Sequence, residues 1–131
     1  MSYLLDSTLI IDCSMGDREG VALLRRLFEA TSELFTCEVV TCETLSGGTP
    51  EGRESVRAAL DALEYVAVDL EAARWAADRR AERPAGTSRR HLGDALIAGL
   101  AWRLGATVVT RNARDFEAYG VAVLGYGADE T

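Results

Sequence analysis

Short apolar runs alternate along the chain with longer stretches in which apolar residues recur every three or four positions. The short runs are typical of buried strands, and they predict five of them, at residues 3–5, 34–37, 65–68, 107–109 and 121–124. The longer stretches predict amphipathic helices at residues 17–33, 50–63, 69–83 and 89–105, with a loop at residues 84–88. Short helical pieces are expected after the first, second and fourth strands.

Three of the longer helices are predicted to turn one apolar face toward a core. The predicted core-facing residues are Val21, Leu24, Leu27 and Phe28 in the first helix, Val56, Leu60 and Leu63 in the second, and Leu70, Ala73 and Ala77 in the third. Thr41 is predicted to cap the short helix that contains Glu43, because a threonine hydroxyl can accept a hydrogen bond from a free backbone N–H. Gly105 is predicted to end the fourth helix, since glycine readily adopts the left-handed conformation found at helix ends.

Strands that alternate with helices and are apolar on both faces are typical of a parallel sheet covered by helices on both sides. We therefore predict an α/β fold with a central, mainly parallel sheet of about five strands, in a single domain spanning residues 1–131. Connections between parallel strands are right-handed, so the carboxyl ends of the strands share one edge. The loops at that edge are where such sheets bind ligands.

Four acidic residues are predicted to reach this edge. They are Asp6 after the first strand, Glu43 after the second, Asp94 at the start of the helix before the fourth, and Asp115 after the fourth. Most acidic residues are solvated at the surface, and Asp6 could be an ordinary helix cap. However, the stretches "LLDSTLII" and "GDALIAGLA" place carboxylates in apolar surroundings, where a buried charge without a partner is costly.

A divalent cation is the simplest partner for these carboxylates, and Mg²⁺ or Mn²⁺ suits oxygen ligands best. Two such ions can activate an attacking water and stabilise the leaving oxygen of a phosphodiester. Four neutral residues are placed to orient the acids by hydrogen bonds, with turn formation or helix capping as their alternative roles. They are Ser7, Thr8, Thr110 and Asn112.

The overall charge restricts how nucleic acid could bind. A formal charge of -7 would repel a polyanion, so a metal or a local arginine patch would have to overcome it. Candidates for such a patch, or else solvated surface charges, are Arg89, Arg90, Arg111 and Arg114. The chain contains no lysine, which excludes P-loop chemistry and a response-regulator receiver, and the Ser and Thr after Asp6 argue against a haloacid-dehalogenase-type phosphatase.

The cysteines Cys13, Cys37 and Cys42 are odd in number and lack C-x-x-C spacing, so we expect reduced, buried thiols in a cytoplasmic protein. A zinc site formed by the three cysteines and His91, the single histidine, is the alternative. No stretch has the roughly 20 apolar residues of a membrane helix, and no signal peptide is recognisable.

Three segments together resemble the PIN-domain ribonucleases, and specifically the VapC-type toxins of bacterial type II toxin–antitoxin pairs. They are "YLLDSTLIID", "VVTCETLSG" and "DALIAGLAWRLGATVVTRNARDFEAYGVAVL", in this order, and only residues 48–90 lack a diagnostic pattern. The resemblance implies a PIN-like three-layer fold and an endoribonuclease that uses Mg²⁺ or Mn²⁺. It also implies that Asp6, Glu43, Asp94 and Asp115 are the metal-binding catalytic acids and that Thr110 and Asn112 support them, although some members carry an acid at the Asn112 position.

The resemblance further implies an RNA substrate, a homodimer and a cognate antitoxin that inserts an arginine-bearing segment into the acidic pocket. The alternative is a non-catalytic PIN-like module that binds metal, RNA or antitoxin without cleavage. His91 lies one helical turn before Asp94 and could act as a general base. A water activated by a metal ion does not require such a base, so His91 is not included among the predicted site residues.

Overall fold

The computed structural model describes residues 1–30, 32–83 and 91–127. The described residues form a sheet of five strands in the order β3-β2-β1-β4-β5, and every neighbouring pair is parallel. The strands are β1 (Ser2–Leu5), β2 (Glu33–Thr36), β3 (Glu64–Tyr65), β4 (Thr107–Thr110) and β5 (Val123–Gly125). The predicted parallel α/β fold is therefore confirmed.

Seven helices accompany the sheet in the described ranges. They are α1 (Ser7–Ser14), α2 (Arg18–Glu29), α3 (Glu38–Leu45), α4 (Pro50–Asp61), α5 (Leu70–Ala81), α6 (Leu92–Leu104) and α7 (Ala113–Glu117). Consecutive residues Leu4 and Leu5 in β1, and Val108 and Val109 in β4, are all fully buried. Because successive side chains of a strand point to opposite faces, both faces of the central strands are covered, as a three-layer fold requires.

The order of the strands determines where a site can form. The chain adds β2 and β3 on one side of β1, and then β4 and β5 on the other side. The direction in which successive strands are added thus reverses between β1 and β4. At this point the loops at the carboxyl ends of the strands diverge and leave a crevice. Asp6 directly follows β1, and α7, which contains Asp115, begins shortly after β4.

Two predictions about helix ends had different outcomes. Gly105 ends α6 with a positive φ of 66°, as expected. The prediction that Thr41 caps a helix is wrong, because α3 already begins at Glu38 after an extended Cys37. Thr41 lies inside α3, where its hydroxyl donates to the carbonyl of Cys37 at 2.9 Å. Glu43 is consequently near the end of α3 and not in its first turn.

The predicted buried face of α5 is wrong by one residue. Ala72 and Ala76 are buried, whereas of the three predicted residues Leu70 and Ala77 are exposed and Ala73 is half-buried. A Cβ atom on Gly99 of α6 would overlap the carbonyl oxygen of Ala72, so the two helices approach closely. Because this close contact requires small residues, alanines occupy the buried face of α5 and the larger Leu70 remains exposed.

The predicted face of α2 is correct except at Phe28, and that of α4 is confirmed. In α2, Leu27 is buried and Val21 and Leu24 are half-buried, as predicted, but Phe28 is 45% exposed and Leu23 is buried in addition. The three predicted core residues of the 50–63 segment, Val56, Leu60 and Leu63, are all buried. Periodicity therefore gave the correct face where large aliphatic residues are spaced regularly, and it failed for α5, where alanines and other apolar residues occur on several faces.

Some other predictions need correction or cannot be compared. The strand predicted at 65–68 is limited to Glu64–Tyr65, and the last strand is Val123–Gly125. Cys37 is buried as expected, but Cys42 is exposed. The predicted loop at 84–88 and the first two residues of the helix predicted at 89–105 lie outside the described residues. Within the described residues, no helix is long and apolar enough to cross a membrane.

Candidate active site

Asp6 is the most deeply buried acid at the carboxyl edge of the sheet, with only 2% of its surface exposed. Its backbone N–H donates to the carbonyl of Val109 at 2.9 Å, which fixes the end of β1 beside β4. Asp6 occupies the N-cap position of α1, but its side chain makes no capping hydrogen bond within the described part of the chain. The carboxylate is therefore not used as an ordinary helix cap.

Two threonine hydroxyls hold this carboxylate in position. Thr8 Oγ1 and Thr110 Oγ1 both donate to Asp6 Oδ2, at 3.0 and 2.8 Å. Each hydroxyl also accepts a backbone N–H, from Arg111 to Thr8 at 3.1 Å and from Asn112 to Thr110 at 2.9 Å. Because each hydroxyl already accepts a hydrogen bond from a backbone N–H, its own hydrogen is directed at Asp6 Oδ2. The other oxygen, Asp6 Oδ1, is left more open to a ligand.

Ser7 and Asn112 contribute differently from the two threonines. Ser7 Oγ lies 3.4 Å from Asp6 Oδ1, a weaker contact than those of the threonines. Asn112 precedes α7, but its side chain makes no capping hydrogen bond to the described residues, and the residue is exposed. Its backbone N–H supports Thr110, and its amide group remains available to a ligand.

Glu43 extends from α3 toward the start of α6, where Gly93 leaves room for its carboxylate. A Cβ atom on Gly93 would lie only 2.5 Å from Glu43 Oε2 and 3.4 Å from a methyl group of Val39. Any larger residue at position 93 would therefore push the Glu43 carboxylate away from the start of α6. Glu43 is exposed as a whole residue, yet the partial burial of its carboxylate raises its pKa. A hydrogen bond from Ser7 lowers this pKa, and the charge of Asp6 raises it.

Asp94 and Asp115 come together from two different helices. Asp94 lies in the first turn of α6 and Asp115 in the first turn of α7. One ligand atom from each of them and one ring nitrogen of His91 all lie within 4.8 Å of one another. Ligand atoms at these separations can contact one ion, so these side chains could share a metal.

The electrostatics connect all four predicted acids. The pKa of Asp94 is raised to about 6, first by burial and then by the negative charges of Asp6, Asp115 and Glu43, while His91 opposes the shift. The negative charges are therefore close enough to destabilise one another. In the described part of the chain, no arginine forms an ion pair with any of the four acids.

Arg111 was predicted as a possible contact for phosphate, but its side chain is engaged elsewhere. Its guanidinium pairs with Asp12 at 2.8 Å and with Asp17 at 3.3 Å. Tyr126 adds a hydrogen bond to Asp12 at 2.6 Å, and its ring lies 5.1 Å from the guanidinium carbon. This network was not predicted from the sequence, although Asp12 is an isolated acid in an apolar helix and Tyr126 directly follows the last strand.

The network has a structural role at the edge of the site. It ties the segment after β4 to α1 and α2, and Arg111 donates its backbone N–H to Thr8 from this fixed position. Of the other predicted basic residues, Arg114 is exposed on α7, and Arg89 and Arg90 lie outside the described residues.

The donor set fits a hard divalent cation. The side chains brought together at this edge offer carboxylate oxygens and one imidazole nitrogen, and a cation would offset the burial of charge and the repulsion that together raise the pKa of Asp94. The grouping found among the described residues contains no cysteine, so the alternative of a zinc site built from the three cysteines and His91 is not supported. The fold and the site thus define an α/β protein with an acidic cluster at its sheet edge whose donors fit a cation.

Comparison with known proteins identifies the family. Residues 3–122 match the PIN domain profile. The chain is 36% identical to ribonuclease VapC11 of Mycobacterium tuberculosis over 107 residues, which cover 78% of each chain. The chain therefore belongs to the PIN-domain family, which confirms the resemblance seen in the sequence.

Solved structures share the whole fold. VapBC from Salmonella typhimurium, solved bound to DNA, superposes with a TM-score of 0.75 at 25% identity, covering 95% of this chain and 98% of the other. VapBC2 from Rickettsia felis, bound to a fragment of its promoter DNA, gives a TM-score of 0.78 at 17% identity, covering 97% and 100%. The predicted PIN-like architecture is confirmed by these likenesses.

Asp94→Asn should make the metal-free protein at least as stable as the wild type near neutral pH. The pKa of Asp94 rises from 3.8 to about 6 on folding, so the folded wild type binds more protons between these values and its free energy of unfolding falls as the pH rises. This loss is absent below the unfolded pKa and complete above the folded one. Thermal melts in EDTA across this range should therefore show the mutant gaining on the wild type as the pH rises.

Mn²⁺ gives the second half of this test. It should raise the melting temperature of the wild type more than that of Asp94→Asn, because one oxygen ligand is missing from the mutant. Asp61→Asn, at an exposed position in α4, is the matched control and should behave like the wild type. A destabilised metal-free Asp94→Asn protein with an unchanged response to Mn²⁺ would mean that Asp94 is a structural residue.

Proposed function

We propose that this chain is a metal-dependent endoribonuclease that acts as the toxin of a type II toxin–antitoxin pair. The observation that carries the proposal is the convergence of acids at the β1–β4 crevice. The pKa of Asp94 is raised there, and no arginine in the described ranges pairs with these acids. The relatives named as VapC ribonucleases support RNA as the substrate. In this proposal residues 1–131 act as one PIN-like domain.

The proposed metal ligands are Asp6, Glu43, Asp94 and Asp115, with Mg²⁺ or Mn²⁺ as the ion. When bound, such an ion supplies positive charge that promotes attack by water on a phosphodiester and stabilises the charge that develops in the transition state. The protein contributes the positions of its oxygens. Thr8 and Thr110 fix Asp6, whereas the open space over Gly93 admits the carboxylate of Glu43.

The same ion would reconcile RNA binding with the charge of the protein. A formal charge of -7 disfavours binding of phosphates to the bare surface. Arg111 is occupied by Asp12 and Asp17, so it cannot serve freely as a phosphate contact. Arg114 is exposed on α7 next to Asp115 in sequence, and we propose it as the arginine that meets the RNA backbone beside the metal.

A groove beside Glu43 suits the proposed antitoxin. It has a volume of about 540 Å³ and is bordered by α1, α3, α4 and the turn between the last two. Its apolar side includes Ile11 and Met15, which is 81% exposed, and its polar side includes Glu43 and Glu51. An antitoxin segment with apolar side chains could lie along this groove and extend an arginine to Glu43, which would block the acids. The structural neighbours include a toxin–antitoxin complex and a member of the VapBC family of toxin–antitoxin systems.

The resemblance to VapC toxins also implies a homodimer. We propose this oligomeric state for the free toxin, and sedimentation analysis of the purified chain measures it directly. A monomer at micromolar concentration would contradict it.

Purified protein should cleave total RNA at a small number of sites when Mg²⁺ or Mn²⁺ is present, and EDTA should abolish the cleavage. Asp94→Asn and Asp115→Asn should lower the cleavage rate roughly 100-fold or more, because each removes a ligand oxygen. Mapping of the cleavage ends by sequencing gives the sites and the rates. Asp61→Asn should retain full activity.

The outcome separates the two functional hypotheses. Undiminished cleavage in EDTA would contradict a metal-dependent reaction. Binding of Mn²⁺ without any RNA cleavage would favour the alternative of a non-catalytic PIN-like module.

Co-expression with a cognate antitoxin should give a complex that co-purifies and does not cleave RNA. We expect this antitoxin to be encoded by a small neighbouring reading frame. Met15→Glu should weaken the complex, because it places a charge on the apolar side of the groove, while RNA cleavage by the free toxin should remain intact. Affinity measurements on the purified pair test this, and a fully active complex would refute the proposal.

A further inference from the structure

His91 lies beside the proposed metal ligands and is not included among them. We propose that His91 is itself a metal ligand, together with Asp94 and Asp115, and that its ring nitrogen makes the site prefer Mn²⁺ over Mg²⁺. This inference rests on the proposed function, because it concerns the same metal site.

The position of the ring carries the first step of the argument. His91 Nδ1 lies 3.4 Å from Asp94 Oδ2, and a ring nitrogen lies within 4.8 Å of ligand oxygens of both acids. His91 precedes α6 at the N-cap position, but its side chain makes no capping hydrogen bond to any residue that the structure describes. The ring is therefore directed to the acids and is not needed to begin the helix.

The local backbone explains why the ring and the first acid meet. His91 and Asp94 are three residues apart at the start of α6, so their side chains lie on the same side of the helix. Two ligands with this spacing on one helix are a known way to present side chains to a single metal ion. Asp115 then approaches from α7, so the three groups are held by two separate elements.

The chemistry of the nitrogen carries the second step. Mg²⁺ strongly prefers oxygen ligands and retains its waters, whereas imidazole is a good ligand for transition metals. A site built only from carboxylates would discriminate little between Mg²⁺ and Mn²⁺. Adding one imidazole to the oxygens of Asp94 and Asp115 should favour Mn²⁺ selectively.

The competing explanation is that His91 only forms an ion pair or hydrogen bond with Asp94. In that role it would influence both metals through the position and charge of Asp94, and the two affinities would change together. A ligand nitrogen instead changes the affinity for Mn²⁺ more than that for Mg²⁺. It also couples magnetically to the unpaired electrons of Mn²⁺.

The chain contains one histidine, which makes the spectroscopic test unambiguous. Metal-free protein is loaded with Mn²⁺, and electron spin-echo measurements are made on wild-type protein with natural histidine and with ¹⁵N-labelled histidine. We expect an imidazole ¹⁴N coupling that is replaced by the ¹⁵N pattern on labelling. Since this measurement uses the wild type alone, it does not depend on the folding of a variant.

Calorimetric titration with each metal alone tests the selectivity. In His91→Gln the dissociation constant for Mn²⁺ should rise about tenfold or more, whereas that for Mg²⁺ should change less than about threefold. Asp61→Asn should leave both constants unchanged. Wild-type protein that binds Mn²⁺ without histidine coupling, or equal losses for the two metals in His91→Gln, would overturn the inference while leaving the proposed metal site intact. Wild-type protein that binds neither metal would overturn the inference and the proposed function together.

Discussion

Repulsion between carboxylates at the edge of a parallel sheet is the constraint on which this site depends. The strand order brings the ends of β1 and β4 together, so Asp6 and the segment that leads to Asp115 lie at the same edge of the sheet. Asp94 is added from α6, and burial together with the neighbouring charges raises its pKa to about 6. Because the chain has no lysine and Arg111 is already paired, the simplest source of neutralising charge is a bound cation.

The groups around the acids hold them in this unfavourable arrangement. Two hydroxyls donate to one oxygen of Asp6, and their own acceptor positions are filled by backbone N–H groups of the segment after β4. The Arg111 network fixes that segment to α1 and α2. Orientation of ligands by surrounding hydrogen bonds is typical of metal sites, where it determines both affinity and the protonation of the ligands. The same contacts explain why the carboxylate of Asp6 stays buried and does not turn into solvent.

Much of the fold could be predicted from sequence, and the limits have physical causes. The alternation of short strands and helices was sufficient to predict the parallel sheet. The predicted ends of β1 and β4 were sufficient to place Asp6 and Asp115 at one edge of it. The inner face of α5 was not predictable from periodicity, because close packing of Ala72 against Gly99 selects small residues. The space over Gly93 and the pairing of Arg111 depend on contacts between distant segments. The sequence suggested His91 only as a possible base or as a zinc ligand with the cysteines, since its distance to Asp115 is a property of the tertiary structure.

Anomalous diffraction from crystals of the protein loaded with Mn²⁺ tests the central claim most directly. If the crowded acids form a metal site, the strongest anomalous peak should lie among Asp6, Asp94 and Asp115, in contact with at least two of them. The same crystals of Asp94→Asn should show that peak weakened or absent. A peak that appears only at other acids, such as Asp12 and Asp17, or no peak at saturating Mn²⁺, would contradict the claim that charge crowding at the sheet edge is relieved by a cation.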